Sequence, residues 1–421
     1  MRRAAAVTHP WRASITAIVA ALALIAVTGC GGDDDDGGSE PSGDPIVVGS
    51  ILDRTGPINI YGKAMHDATR FAIEDINRNG GVLGRRLDLV SYDAQSANER
   101  YTQFARQLAL DDQAEVIMGG ITSASREAIR PIVDQQRVLY FYNEQYEGGV
   151  CDKNVFNTGV IPSQQLQALI PWTIDNVGPR LYVVAADYNY GQISAEWVEQ
   201  YAEENGGEVV GTEFIPLESS NFGSVIGNIQ QARPDAVVSL LVGGNHIAFY
   251  RDFAARGLRD RIRIVSPTFG LGNEQVVVTP DEAEGIVVAY PYFQELDNPT
   301  NREFVTRWHA AYGEDYDYIT DSAVTVWNGW HLWAAAVEEA GTTDRDAVIE
   351  ALETGVEFDS PSGRVELDGP SHHVAQNISI AEVNDERGFD IIETRESVPP
   401  SYEQEVCDLV EDPTTNEQFT P

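Results

Sequence analysis

The chain has 421 residues, with 28 Lys and Arg against 66 Asp and Glu, for a formal net charge of −38. At about 150 residues per domain that length calls for two or three cores. Its 43% apolar and 22% charged residues are globular values, which excludes a fibrous or wholly disordered chain. The acidic balance excludes nucleic acid as a partner, because phosphate needs clustered Lys and Arg, and excludes adhesion to anionic lipid through a basic patch.

The first residues read as an address. Arg2, Arg3 and Arg12 precede the nearly apolar run Ser14–Val27, which ends in Val27-Thr28-Gly29-Cys30. This is a charged start, an apolar middle and a small-residue cleavage site. The run is about fourteen residues, short of the roughly 20 that a spanning helix needs. A plain secretory signal cut near Gly29 is one reading. The Cys after Val-Thr-Gly resembles the lipobox of bacterial lipoproteins, which makes residues 1–29 a lipoprotein signal peptide and Cys30 the lipidated N-terminus. Residues 30–44 then form a Gly- and Asp-rich tether that cannot bury apolar area. With Cys30 lipidated, Cys151 and Cys407 remain, and outside the cytoplasm an even pair points to a disulfide; two separate buried thiols are the alternative.

From Pro45 onward, β-branched runs alternate with amphipathic segments. Ile46–Ile51, Leu87–Val90, Val116–Gly119 and Val138–Tyr142 read as strands, separated by helical patterns over Tyr61–Asn79, Glu99–Asp112 and Ala124–Gln136. A second series has strands at Leu181–Ala186, Val209–Ile215, Ala236–Val242 and Arg263–Val265, with helices at Gln192–Glu204, Phe222–Ala232 and Ile247–Gly257. The fold class expected is α/β, with two successive doubly wound parallel sheets. Further on come helices at Arg302–Tyr312, Asp321–Ala340 and Asp344–Glu353, hairpin-like Leu367–Val383, and an acidic end with little pattern. Trp327, Trp330 and Trp333 recur at helical spacing, as a core-facing stripe does.

Enzymatic chemistry is not assembled. Asn79-Gly-Gly-Val-Leu-Gly84 follows a helix, whereas a dinucleotide fingerprint follows a strand. No Gly-x-Ser-x-Gly, Walker or His-Glu-x-x-His motif occurs. His372 and His373 are adjacent, and neighbours on a strand face opposite sides, so a structural role suits them better than a shared metal. Catalytic residues, metal ligands and cofactors are therefore each expected to be none. In open α/β sheets ligands bind beyond the carboxyl ends of the strands. Four such ends are rich in hydroxyls, aromatics and amides: Asp53–Pro57 with Tyr61, Gly119–Ser125, Tyr142–Gly149, and Asp187–Gly191. Their corresponding positions in the two series point to a cleft.

Over residues 45–395 the chain resembles the periplasmic binding proteins of the branched-chain amino-acid type, and within them the branch that binds urea and short amides. The residues that carry the likeness are Thr55-Gly56 with Tyr61-Gly62, Glu74–Asn77 with Gly80-Gly81 and Gly84-Arg85, Tyr92-Asp93, Gly120 with Ser123, Tyr146-Glu-Gly148, Tyr190-Gly191, Gly363 with Val365, and His372-His373. The resemblance implies two Rossmann-like lobes joined by a three-segment hinge. Lobe one would take 45–165 plus 290–370, lobe two 166–289 plus 371–395, and 396–421 would be a C-terminal tail. It implies a receptor of an ABC importer on the extracytoplasmic face of a bacterial membrane. Its partners would be a small polar solute and the permease subunits, with membrane contact through the lipid anchor only. An amino-acid receptor, a sensor of the same fold and a secreted amidohydrolase are the alternatives.

Carried across by position, Ser123 should donate to the solute oxygen, and Tyr142, Glu144 and Tyr146 should line the pocket. Tyr188 and Tyr190 should close from lobe two, with Tyr61, Asn245 and Phe269 nearby. Two features depart from the family pattern. Pro267–Gly270 holds no acid where amino-acid binders grip the ammonium group, and Glu144 stands where the amide type has a neutral residue. A buried Glu needs a donor: either it takes N–H groups of the solute, or the solute is cationic, or the side chain points to solvent.

Overall fold

The computed structural model describes residues 43–421. The expected signal peptide, Cys30 and most of the tether lie outside that range. Elements alternate from the start: β1 (Ile46–Leu52), α1 (Asn59–Arg78), β2 (Leu87–Asp93), α2 (Asn98–Leu110), β3 (Val116–Gly119), α3 (Ser123–Gln136) and β4 (Leu139–Tyr142). Two short strands follow, β5 (Val150–Asp152) and β6 (Val155–Asn157), then α4 (Leu166–Asn176). The second series is β7 (Arg180–Ala186), α5 (Asn189–Glu204), β8 (Glu208–Ile215), α6 (Gly223–Ala232), β9 (Ala236–Leu240), α7 (Ile247–Ala255) and β10 (Arg263–Ser266). The short helices α8 (Glu274–Val277) and α9 (Pro280–Ala283) lead to β11 (Val287–Tyr290), and α10 (Pro299–Tyr312), α11 (Asp321–Ala340) and α12 (Arg345–Glu353) follow. The chain ends with β12 (Glu357–Ser360), β13 (Gly363–Asp368), β14 (His373–Val383), β15 (Phe389–Val398), α13 (Ser401–Val406) and β16 (Asn416–Gln418).

Strand order is β2-β1-β3-β4-β6-β14-β11-β10-β9-β7-β8. Two stretches within it are all parallel, β2-β1-β3-β4-β6 and β11-β10-β9-β7-β8. Each has the same winding: the first strand of the series sits second, and the chain reverses direction of travel beside it. That reversal is a topological switch point, where adjacent strand ends diverge and leave room for a ligand. β14 joins the stretches. It touches β6 at His373 and pairs antiparallel with β11 over Ser379–Glu382.

The central strands are buried on both sides, as parallel sheets require; β3, β4, β9 and β11 have no exposed residue. α11 supplies the largest helical share of the core, with Trp330 and Trp333 at most 1% exposed and Trp327 at 6%, which bears out the core-facing stripe. The acidic end is more ordered than its composition suggests. β16 pairs antiparallel with β5, and Cys407 forms a disulfide with Cys151, closing a 256-residue separation. Elements this short carry no periodicity to read; they hold because they pair with a distant segment.

Candidate functional site

A small pocket sits at the carboxyl ends of both parallel stretches. Tyr61 reaches it from α1, Ile121 and Thr122 from the β3–α3 turn, and Glu144 and Gln145 from the loop after β4. Tyr188 and Tyr190 enter from the β7–α5 turn, Val242 from beyond β9, and Thr268 and Leu271 from beyond β10. About 310 Å³ of empty space lies between these walls, the mouth included. The cavity proper is only about 30 Å³, room for a very small molecule.

Two hydrogen bonds cross the pocket. The backbone N–H of Gly243 donates to the Tyr61 hydroxyl at 3.0 Å, and the Gln145 amide donates to the Tyr190 hydroxyl. Gln145 is itself gripped from behind by Gln165, whose Nε2 also donates to the carbonyls of Ala289 at 2.6 Å and Pro267 at 3.0 Å. Thr122 caps α3: its hydroxyl oxygen accepts from Ser125 N–H at 3.1 Å, which leaves its own proton for the pocket.

Glu144 is the chemical centre of the wall. It is 5% exposed. Oε1 accepts from the Gln145 N–H and the Ser322 hydroxyl, both at 3.1 Å, whereas Oε2 is buried with no partner among the described residues. Burial pushes its carboxyl up to about 7, and the Glu274 charge adds to the shift. Of the three orientations open from the sequence, pointing to solvent is the one this geometry removes.

Other acids lie close behind. Asp321 accepts from Tyr292 N–H at 2.9 Å, and burial followed by the Glu144 charge raises its carboxyl. Glu274 is fully buried; it accepts from the N–H groups of Gly270 and Gly272 at 2.7 and 3.0 Å and meets His246 Nε2 at 2.9 Å. It therefore sits just past Pro267–Gly270, but its oxygens are occupied and it does not line the pocket. Among the described residues no three His, Cys, Asp or Glu side chains are grouped to hold a metal ion.

Of the nine residues expected to line the site, Tyr61, Glu144, Tyr188 and Tyr190 do so in this structure. The other five are placed elsewhere. Ser123 begins α3 one residue after the cap, which turns it about 100° away from Thr122; its hydroxyl donates to the carboxylate of buried Glu147. Tyr142 shares a strand face with Tyr140, and their hydroxyls donate to the carbonyls of Ile121 and Gly119 at 2.6 and 2.9 Å. Tyr146 bonds His373 Nε2. Asn245 donates to Leu217 O at 2.8 Å, and Phe269 is buried edge-on against Tyr250 with centroids 4.8 Å apart. Of the six wall residues outside the expected nine, Thr122, Gln145 and Thr268 are immediate neighbours of expected ones, and Ile121, Val242 and Leu271 lie two or three positions away. The turn is legible from glycines and hydroxyls; which member faces inward is set by a 100° rotation that composition does not encode.

His372 and His373 hold the scaffold. His373 Nδ1 faces the Ser371 carbonyl at 2.7 Å, and burial pushes the ring down to about 3, so it stays neutral and accepts at Nε2 from Tyr146.

Residues 45–388 match the family described as Periplasmic binding protein. The chain belongs to that family. Periplasmic binding proteins capture ligands without transforming them, and this chain is a binding protein, not an enzyme. It is 24% identical over 349 residues to Leu/Ile/Val-binding protein homolog 6 of Brucella melitensis, covering 81% of this chain and 88% of that one. It is likewise 24% identical to the leucine-, isoleucine-, valine-, threonine- and alanine-binding protein of Pseudomonas aeruginosa, over 77% of this chain and 86% of that one. Among solved structures, a solute-binding protein of an ABC transporter from Rhodopseudomonas palustris BisB5, in complex with 3,4-dihydroxybenzoic acid, superposes with a TM-score of 0.76 at 23% identity, covering 85% of this chain and 99% of that one. The fold is that of the type I periplasmic binding proteins.

Proposed function

We propose that this periplasmic binding protein is the solute receptor of an ABC importer, and that its solute is a small neutral molecule presenting N–H donors, urea or a short amide first. The observation that carries the reading is the unpartnered Oε2 of Glu144 in a small pocket walled by three tyrosines. A buried carboxylate oxygen without a donor costs about 1–3 kcal/mol or more, and a solute NH2 group removes that penalty. The Thr122 hydroxyl is free to donate to the carbonyl oxygen, and the Tyr61, Tyr188 and Tyr190 rings offer apolar faces to a flat solute.

Some solved relatives are complexes with benzoates. A benzoate would bring a third carboxyl group beside those of Glu144 and Asp321, so that chemistry is disfavoured here. An amino acid would need a donor set for its carboxylate; among the described residues the wall offers hydroxyls, of Thr122, Thr268 and the tyrosines, but no Lys or Arg to neutralise the charge. Residues 45–165 with 290–370, and 166–289 with 371–395, are taken as the two lobes, closing on the solute about the segments that join them. Lipidation at Cys30 would hold the receptor on the outer face of the membrane beside its permease; palmitate labelling lost in Cys30→Ala tests that anchor.

Thermal-shift measurements against urea, acetamide, leucine and benzoate test the solute class. Saturable stabilisation by urea or acetamide is expected. Stabilisation by benzoate or leucine alone would overturn it.

A further inference from the structure

The loop between β4 and β5 carries Glu144 and Gln145 into the pocket, and its last three residues, Glu147–Gly149, are anchored in part by the other end of the chain. After β15 the C-terminal strap runs through α13, Cys407 and β16. Glu403 of α13 is 1% exposed; its Oε1 accepts from Gly149 N–H at 3.1 Å and its Oε2 from the Ser163 hydroxyl at 2.8 Å. Beyond β16, Phe419 N–H donates to Gly149 O at 2.8 Å. Gln418 Nε2 donates to Glu147 Oε1 at 2.6 Å and to Gly148 O at 3.1 Å. Gly148 and Gly149 have φ of 84° and 79°, so this segment takes a left-handed path that local preference alone does not fix.

Glu147 is where three parts of the molecule meet. Its carboxylate accepts from Ser123 and from buried Arg126 at 2.8 Å on the first series, and from Gln418 on the strap. Its carbonyl accepts from Trp197 Nε1 at 3.1 Å, on α5 of the second series, the helix whose first turn holds Tyr190. The Cys151–Cys407 disulfide ties the strap to β5, two residues past Gly149.

We propose that the C-terminal strap is a positioning element of the solute site: Gln418 and Glu403 fix Glu147–Gly149, and through them the Glu144–Gln145 wall, with the disulfide keeping the strap seated. This rests on the pocket being the solute site. Gln418 and Glu147 are positioning residues, since neither lines the pocket. The arrangement also gives Glu147 a role where the family pattern shows only a Tyr-Glu-Gly string.

The test is Gln418→Glu, which keeps the size but replaces the donating amide by a carboxylate facing Glu147, with Gln418→Ala as the milder variant. Two readouts need no solute. The indole 15N–H resonance of Trp197, assigned with Trp197→Phe, is expected to shift, and backbone amides of Glu144–Gly149 are expected to exchange ~10-fold faster, with those of β8 unchanged. The third readout is calorimetric affinity for acetamide, expected to fall several-fold. An unmoved indole resonance and unchanged loop exchange in both variants would overturn the strap's role. So would loop loosening with acetamide affinity unchanged. Loop loosening with no acetamide binding even by the unaltered protein would keep the strap as the loop's anchor and overturn the solute reading instead.

Discussion

At Glu144 burial outweighs the two hydrogen bonds, from Gln145 N–H and Ser322, that favour ionisation. Its carboxyl stands at about 7 against the usual 4.5, chiefly through burial. Between those values the folded protein holds a proton that the unfolded chain has released, so stability falls as pH rises through that window and is level above it. The loss is on the order of 3 kcal/mol at 1.36 kcal/mol per unit. Glu144→Gln should lack this component: guanidinium unfolding of variant and parent should agree near pH 4.5, and the variant should be the more stable by pH 8. Parallel pH profiles would contradict the burial argument. A neutral amide solute pairs with the ionised form, so its affinity should rise through about pH 7. Glu144 as a pocket residue was legible from its place after a strand; the empty Oε2 was not, because it depends on where Ser322 and the Gln145 N–H lie.

At the scale of elements, the site exists because helices begin hard against strand ends. A Cβ on Gly62 would strike the Asp53 carbonyl, one on Gly119 the Ile51 carbonyl, and one on Gly191 the Ala186 carbonyl. The Tyr-Gly pairs after the first strand of each series follow from this: glycine lets the helix close on the strand, and the tyrosine beside it is thereby carried to the pocket. Gly191→Ala should lower stability by about 1–3 kcal/mol through that overlap, read as a lower guanidinium midpoint at unchanged slope, and should weaken solute binding by displacing Tyr190. A variant with parental midpoint and affinity would show that the contact is not tight. Both parallel series were legible in the sequence because strand runs and helix periods alternate there without interruption. The strands β5, β6, β12 and β16, with three to four residues each, were not; pairing partners far along the chain define them.

At the scale of the molecule, one strand and one disulfide hold distant segments together. β14 bridges the two parallel stretches, and Cys151–Cys407 fastens the strap. Removing the bridge with Cys151→Ser and Cys407→Ser should reduce stability by roughly 2–5 kcal/mol; a smaller change would mean that β16 pairing alone seats the tail. Closure about the joining segments should shorten the radius of gyration in solution scattering when solute is added, and unchanged scattering at saturation would argue for a pocket already shut.

Calorimetric titration of the protein and its Glu144→Gln variant with urea and acetamide is the most direct trial of a receptor that grips N–H groups through one buried carboxylate. Binding of one solute per chain, weakened about tenfold or more in the variant by loss of a charge-assisted bond, is the expected result. Absence of saturable heat from either compound, or equal affinity in the two proteins, would contradict it.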